Sequence, residues 1–347
     1  NRDIEVIETV GDVAVGKFGQ LVVQRDFLNR TVSLMVGGGA GADIIRSTQT
    51  NNTLAISGNV SSLQINPANS GQLGSDERVK LVQGTIDLGS GSVALNSLIT
   101  NGMLPPWMVN ATDAQFLTYT ADNGFVNAGF DGVRSGALGT TSVPTERTFI
   151  NAAASMVGGG GLALDTYALR IDADVTFASG VAAAADRIQI RSGGLIANGA
   201  RTISTGISFG TAPQEANIFN NNNLVIGSLG TVTVVPTTGQ ITNATHIVKQ
   251  GTGTMFIDAA QPNFNGNYII NQGTLTLRNN ATATVAVPSA NLGGTASLAQ
   301  MNAGTNGLVV INNFGSSLTV ASDVGGVVAS TFTSTATNST ITVTSAT

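Results

Sequence analysis

Apolar and polar positions alternate along this chain in short bursts, each closed by turn residues. Thr53-Leu54-Ala55-Ile56-Ser57 runs into Gly58-Asn59, and Val60-Ser61-Ser62-Leu63-Gln64-Ile65 runs into Asn66-Pro67. Arg187-Ile188-Gln189-Ile190 leads to Gly193-Gly194, and Leu224-Val225-Ile226 to Gly227. Runs of this length, with turn signals about every ten residues, predict short strands and an all-β chain. Ala182 to Ala185 is the one helix-favouring cluster, and it is too short and too poorly flanked to form a helix.

Many short strands fit a sandwich, a barrel or a stacked solenoid. A sandwich of this size needs an aromatic-rich core, and Phe, Trp and Tyr make up only 5% of the residues. Val, Ile, Leu and Ala instead suit a narrow interior in which each coil completes the core of its neighbour. The pattern therefore predicts a right-handed parallel β-helix, one continuous solenoid over residues 1–347. Asn220 to Asn223 and Asn312-Asn313 are expected at left-handed corners and in asparagine ladders.

Residues 103–130 break the pattern. Met103-Leu104-Pro105-Pro106-Trp107-Met108-Val109 holds a proline pair and the sole tryptophan, and Phe116, Tyr119, Phe125 and Phe130 follow. This reads as a hairpin or loop excursion against the solenoid wall. It is either a local hydrophobic plug or a platform on which Trp107, Phe116 and Tyr119 stack against a glycan or receptor.

Residues 249–277 carry a second pattern. Lys249-Gln250-Gly251-Thr252-Gly253-Thr254-Met255-Phe256-Ile257-Asp258 precedes Asn265-Gly266-Asn267-Tyr268-Ile269-Ile270-Asn271-Gln272-Gly273-Thr274-Leu275-Thr276-Leu277. This resembles the autotransporter-associated β-strand repeat of bacterial surface proteins: a Lys-x-Gly-x-Gly strand, a polar loop, and a closing x-x-Gly-Thr-Leu-x-Leu strand. Ser289-Ala290-Asn291-Leu292-Gly293-Gly294 stands where that family has an Ala-Leu-Gly turn, while Met255-Phe256-Ile257 departs from its Leu-x-Leu. The excursion with Trp107, Asn110, Asp113, Phe116 and Tyr119 is similar to a segment of large repeat proteins of planctomycete-like and verrucomicrobial bacteria. Both stretches together span roughly a sixth of the chain. The resemblance implies a right-handed β-helix exported and displayed outside the cell, and it does not imply catalysis.

Composition narrows the function classes. Charged residues are 10% of the chain and hydrophobic ones 42%, with a net charge of -5 free of acidic or basic blocks. Phosphate binding needs clustered Lys and Arg, so nucleic acid is disfavoured. No run of about 18 apolar residues is present to cross a membrane as a helix, and no membrane insertion is expected. With no cysteine, disulfides, thiolate catalysis and Cys-ligated zinc are excluded. The chain opens on Asn1 without an initiator Met, which suggests a removed leader or a piece of something longer.

Catalytic chemistry is sparse. Asp172 and Asp174 would share one face of a strand, but two outward carboxylates on a strand ordinarily serve solvation, and Arg187-Ile188-Gln189 only echoes the Arg-Ile-Lys of polygalacturonases. His246 is the sole histidine, and no Gly-x-Ser-x-Gly elbow supplies a nucleophile. One histidine cannot make a multi-histidine zinc site. Gly38-Gly39-Ala40-Gly41-Ala42-Asp43-Ile44-Ile45-Arg46 matches one calcium-binding nonapeptide, with Asp43 the candidate ligand, although that chemistry shares each ion between successive repeats. Gly158 to Gly161 and Gly251-x-Gly253 read as turns, since no helix follows to complete a phosphate loop. Asn29, Asn59 and Asn110 head glycosylation sequons.

The sequence thus reads as a structural cell-surface protein, a segment of a filament, surface layer or adhesin stalk, with no enzymatic activity and no cofactor. Alternatives are a glycan- or receptor-binding adhesin module and a polysaccharide-degrading β-helix enzyme. Ile4 and Val6 near the start, and Ile341 and Val343 near the finish, alternate as uncapped strands. They are the expected assembly edges through which other copies, or further repeats, would pair.

Overall fold

The computed structural model describes residues 13–14, 31–36, 43–46, 54–55, 62–67, 70–71, 73–75, 77–78, 85–87, 92–157, 164–179, 186–227, 241–257, 267–270, 273–277, 309–311, 317–322, 332–334 and 340–345. Among these the structure is strands and turns, with one short 3₁₀ segment, Leu95–Leu98, and no α-helix. The all-β expectation holds. Ala182 to Ala185, the Gly38 to Gly41 run, Gly158 to Gly161, Asn312-Asn313, Ile4 and Val6 lie outside the described residues.

The chain divides into two compact units, Asn1–Gly129 and Phe130–Thr347. The division falls at the end of the aromatic stretch. In the first unit, Thr31–Val36 pairs in parallel with Ser62–Pro67, which pairs in parallel with Met108–Asn110. The direction then reverses. Met108–Asn110 pairs antiparallel with Gln115–Thr120, and that strand with Gly124–Asn127. Tight turns allow the reversal: Ala114 (φ 50°) and Gly124 (φ 74°) take left-handed backbone, and the Asn123 amide donates to Thr120 Oγ1. An antiparallel pair needs only such a turn, whereas a parallel pair needs a longer return.

In the second unit, one nineteen-stranded sheet orders the strands from Gly132–Ala137 to Thr340–Ser345, and all its pairings are parallel. Each strand bonds to one lying further along the chain, so the sheet resolves into three stacks. The first runs Leu164, Ile188, Ile207, Ile241 by Cα pairing. The second runs Thr148, Leu169, Leu195, Ile218, Lys249, Ile270, Ile311. The third runs Ala154, Val175, Ile203, Ile226, Ile257, Leu277, Val320, Val343. The long strand Thr141–Val157 supplies residues to all three.

The second unit's core follows from this register. Because successive side chains alternate sides of a strand, the apolar residues of each run fall on one face and meet between the stacks. Ile150, Leu164, Leu169, Ile188, Leu195 and Ile226 belong to one buried cluster. Glycines in left-handed backbone turn the corners. Gly251 (φ +83°) is one where a Cβ would sit 2.4 Å from the Asn220 carbonyl oxygen, too close for any side chain. The left-handed conformation expected at Asn220 to Asn223 occurs instead at Asn243 (φ 56°) and at such glycines. Asn220 ends the strand Gln214–Asn220 and uses its amide to donate to the carbonyls of Asn222 and Thr254.

Candidate functional site

In the first unit the aromatic stretch is a core. Trp107 is 6%, Phe116 1% and Tyr119 5% exposed, and Tyr119 meets Phe125 edge-on with centroids 5.2 Å apart. Tyr119 shares a face with its Cα partner Phe125, whereas Phe116, three positions earlier, lies on the other face of the same strand; both faces are closed, which fits the plug. A stacking platform needs an open ring face, and these three rings present none to solvent. Beside them Asp113 accepts from Ser70 Oγ, from the Gly71 amide and from the side-chain amides of Asn110 (2.8 Å) and Asn127 (3.1 Å). Burial opposes the charge, yet these donors outweigh it and hold the carboxyl below its ordinary 3.8. Asn110 is fully buried in this network, so its sequon is closed to a glycan.

Carboxylates of the second unit are also held by partners. Asp165 takes a forked pair from Arg191 at 2.7 and 2.6 Å, and further bonds from Ser142 and Gln189. The Arg191 bonds foremost push its pKa down against the desolvation. Arg134 grips Glu146, and Arg147 grips Asp131. Arg170 pairs with Asp172 at 2.7 Å, while its guanidinium lies 5.1 Å from the Phe149 ring centroid. Asp172 and Asp174 do not share a strand face as expected. They sit in the bend between Leu164–Ile171 and Val175–Ser179, where Asp172 also accepts from Asn198 and Asp174 accepts the Thr202 amide. Each thus ties one corner to the next along the sheet.

Lys249 is the residue that the sequence conceals. Two residues on from Ile247, it shares the inward face, stacks between Ile218 and Ile270 by Cα pairing, and is buried. Its ammonium donates to the Gln250 and Gly251 carbonyls at 3.1 and 2.7 Å. Burial pushes its pKa well below the usual 10.5. The motif glycines crowd the same corner: a Cβ on Gly273 would stand 2.9 Å from Lys249 Nζ and 2.4 Å from the Gly253 carbonyl. Lys-x-Gly-x-Gly and the later Gly-Thr-Leu therefore meet as one packed turn.

His246 lies on the strand Ala244–Gln250, not in a turn or loop, and its Cα partner is Glu215. The pairing follows a bulge between Gln214 and Glu215, which sets His246 beside the carboxylate and leaves Thr245 over. Desolvation lowers the imidazole pKa below 6.5, although the Glu215 charge pulls the other way. Asn217, two residues from Glu215 and therefore on its face, donates its amide N–H to Glu215 Oε1 at 2.9 Å. Asn217 Oδ1 and His246 Nδ1 are both buried without a hydrogen-bond partner.

Of the other predicted positions, Asp43 heads the strand Asp43–Arg46, paired in parallel with Val13-Ala14 and Glu77-Arg78. Among the described residues no group of three or more His, Asp or Glu gathers as a metal cage. Ile341 and Val343 pair with Leu318 and Val320 in the strand that ends the sheet order. No family model matches the chain, and neither a curated protein nor a solved structure does.

Proposed function

We propose that this chain is a structural segment of a bacterial cell-surface protein, a right-handed parallel β-helix serving as filament, surface layer or adhesin stalk. The observation that carries this reading is the three-stack parallel sheet, in which strands recur at separations of roughly 20 to 45 residues, the range of stacked repeats. Such a ladder places its hydrogen bonds along the stacking direction, so a pull in that direction loads many bonds together. The low charge of 10% permits close lateral packing of copies or of further repeats of the same kind.

The ion pairs support a scaffold over an enzyme. A general acid needs a carboxyl poised near the working pH. Asp165, Asp172 and Asp113 are instead held below 3.8 and bonded to partners that link different strands. The corner formed by Lys249, Gly251, Gly253 and Gly273 agrees with the resemblance to the autotransporter-associated repeat, and display outside the cell follows from that resemblance. Immunogold labelling of intact producing cells with antibody against the chain tests the proposal. Surface label on filaments or a layer is the expected result, and label confined to the cytosol would overturn it.

A further inference from the structure

We infer that Glu215, Asn217 and His246 form a binding site for one divalent cation of borderline softness, such as Zn²⁺, on the face of the second unit's sheet opposite its core. The inference does not depend on the scaffold reading.

The site begins with register. Ala216, Ile218 and Ile247 point into the core cluster or its line, so Glu215, Asn217 and His246 share the opposite face. The bulge after Gln214 brings His246 level with Glu215; without it the pairing would slip by one residue and turn the imidazole to the other side. On the preceding strand, Gly194 is the Cα partner of Asn217, so the residue directly alongside carries no side chain.

Register thus places three donors of different kinds on one face of two neighbouring strands: a carboxylate, an amide oxygen and an imidazole nitrogen. The bond from Asn217 Nδ2 to Glu215 Oε1 fixes the amide orientation, which leaves Oδ1 as the free acceptor. Asn217 is only 3% exposed, and leaving such an acceptor buried and unbonded costs about 1–3 kcal/mol. His246 Nδ1 is unbonded in the same way. A cation satisfies both orphaned atoms at once, and Glu215 balances part of its charge. One nitrogen with two oxygens favours Zn²⁺ over Ca²⁺ or Mg²⁺, which prefer all-oxygen shells. Bound there, the ion clamps the strand Gln214–Asn220 to Ala244–Gln250.

Isothermal titration of the full chain with ZnCl₂, with CaCl₂ in parallel, tests this. Expected is a single saturable event at one Zn²⁺ per chain, lost in His246→Ala and weakened at least about tenfold in Asn217→Leu, while far-UV circular dichroism of both variants stays unchanged. A misfolded His246→Ala leaves the decision to Asn217→Leu. Absence of a one-to-one event, its survival in His246→Ala, or full affinity in Asn217→Leu would overturn the site, the last showing adventitious binding to a histidine alone. Equal binding of Ca²⁺ would overturn the assignment of cation class.

Discussion

Within the first unit, Trp107, Phe116, Tyr119 and Phe125 are buried in and beside antiparallel strands, whereas the second unit fills its interior mainly with Ile, Leu, Val and Ala, with Phe209 among them. Sheet direction explains the difference. In a parallel stack each residue lies about 4.8 Å above its partner, so side chains of one size repeat layer upon layer. The second stack keeps Leu169, Leu195 and Ile218 in line for that reason. A short antiparallel meander has no such repetition, and a few rings that bury about 150–250 Å² each must supply its core. Polar groups divide likewise. The meander gathers its donors on one carboxylate, Asp113, while the stacks set ion pairs between neighbouring strands.

If the meander depends on a few rings, removing one should have the largest effect. Phe125→Ala is expected to cost about 3–5 kcal/mol. Because the chain holds a single Trp, at 107 in the meander, the loss should appear as a lower urea midpoint in tryptophan fluorescence. Leu195→Ala in the stack should cost about 2–5 kcal/mol and be read by far-UV circular dichroism, with the fluorescence midpoint changed less.

Backbone corners rank next. Gly251→Ala meets both a left-handed φ and the Asn220 carbonyl, whereas at Gly136 (φ +67°) an added Cβ would have no atom within 4 Å. Gly251→Ala should therefore lower stability by about 1–3 kcal/mol, and Gly136→Ala by about 1 kcal/mol; urea melts of the two variants compare them directly. A reversed order would place the packing pressure outside the corner.

Charge supplies the smaller effects. Lys249 has a folded pKa depressed below its unfolded 10.5, so the unfolded chain binds the extra proton between those values. Stability should rise with pH through that window up to about 10.5, and Lys249→Met should flatten the rise. Asp165 works at the opposite end. Its folded pKa lies below 3.8, so its contribution is full above that value and is lost as pH falls through the folded pKa. Arg191→Ala should reduce that acid-side slope in thermal melts recorded across the acid range.

Much of this architecture is legible in alternation. Arg187–Ile190 and Leu224–Ile226 are strands as their pattern predicts, and 103–130 is a hairpin-bearing aromatic stretch. Local turn chemistry misleads elsewhere. Asn66-Pro67 reads as a stop but continues Ser62–Pro67, since ladder pairing with Met35 and Val36 overrides the turn preference. Asp172 and Asp174 have strand spacing but occupy a bend, because their carboxylates bond to the next corner. Lys249 and the Glu215–Asn217–His246 group were hidden for another reason. Burial of a lysine and the meeting of residues about thirty positions apart depend on register, which a bulge can shift by one. A signal for Lys249 did exist: it keeps step with Ile247 and precedes Gly-x-Gly.

The in-register parallel stack can be measured directly, because the chain is free of cysteine. Val225 and Phe256 are Cα partners on the half-exposed side of the third stack, and parallel neighbours lie within the range of about 4.4–6.8 Å that a disulfide can span. Under mild oxidation, a chain carrying Val225→Cys with Phe256→Cys should form an intramolecular disulfide, seen by mass spectrometry as a linked peptide pair. A control pairing Val225→Cys with Thr245→Cys, which lies out of register, should stay reduced. Failure of the first pair to link while the control links would contradict the stack.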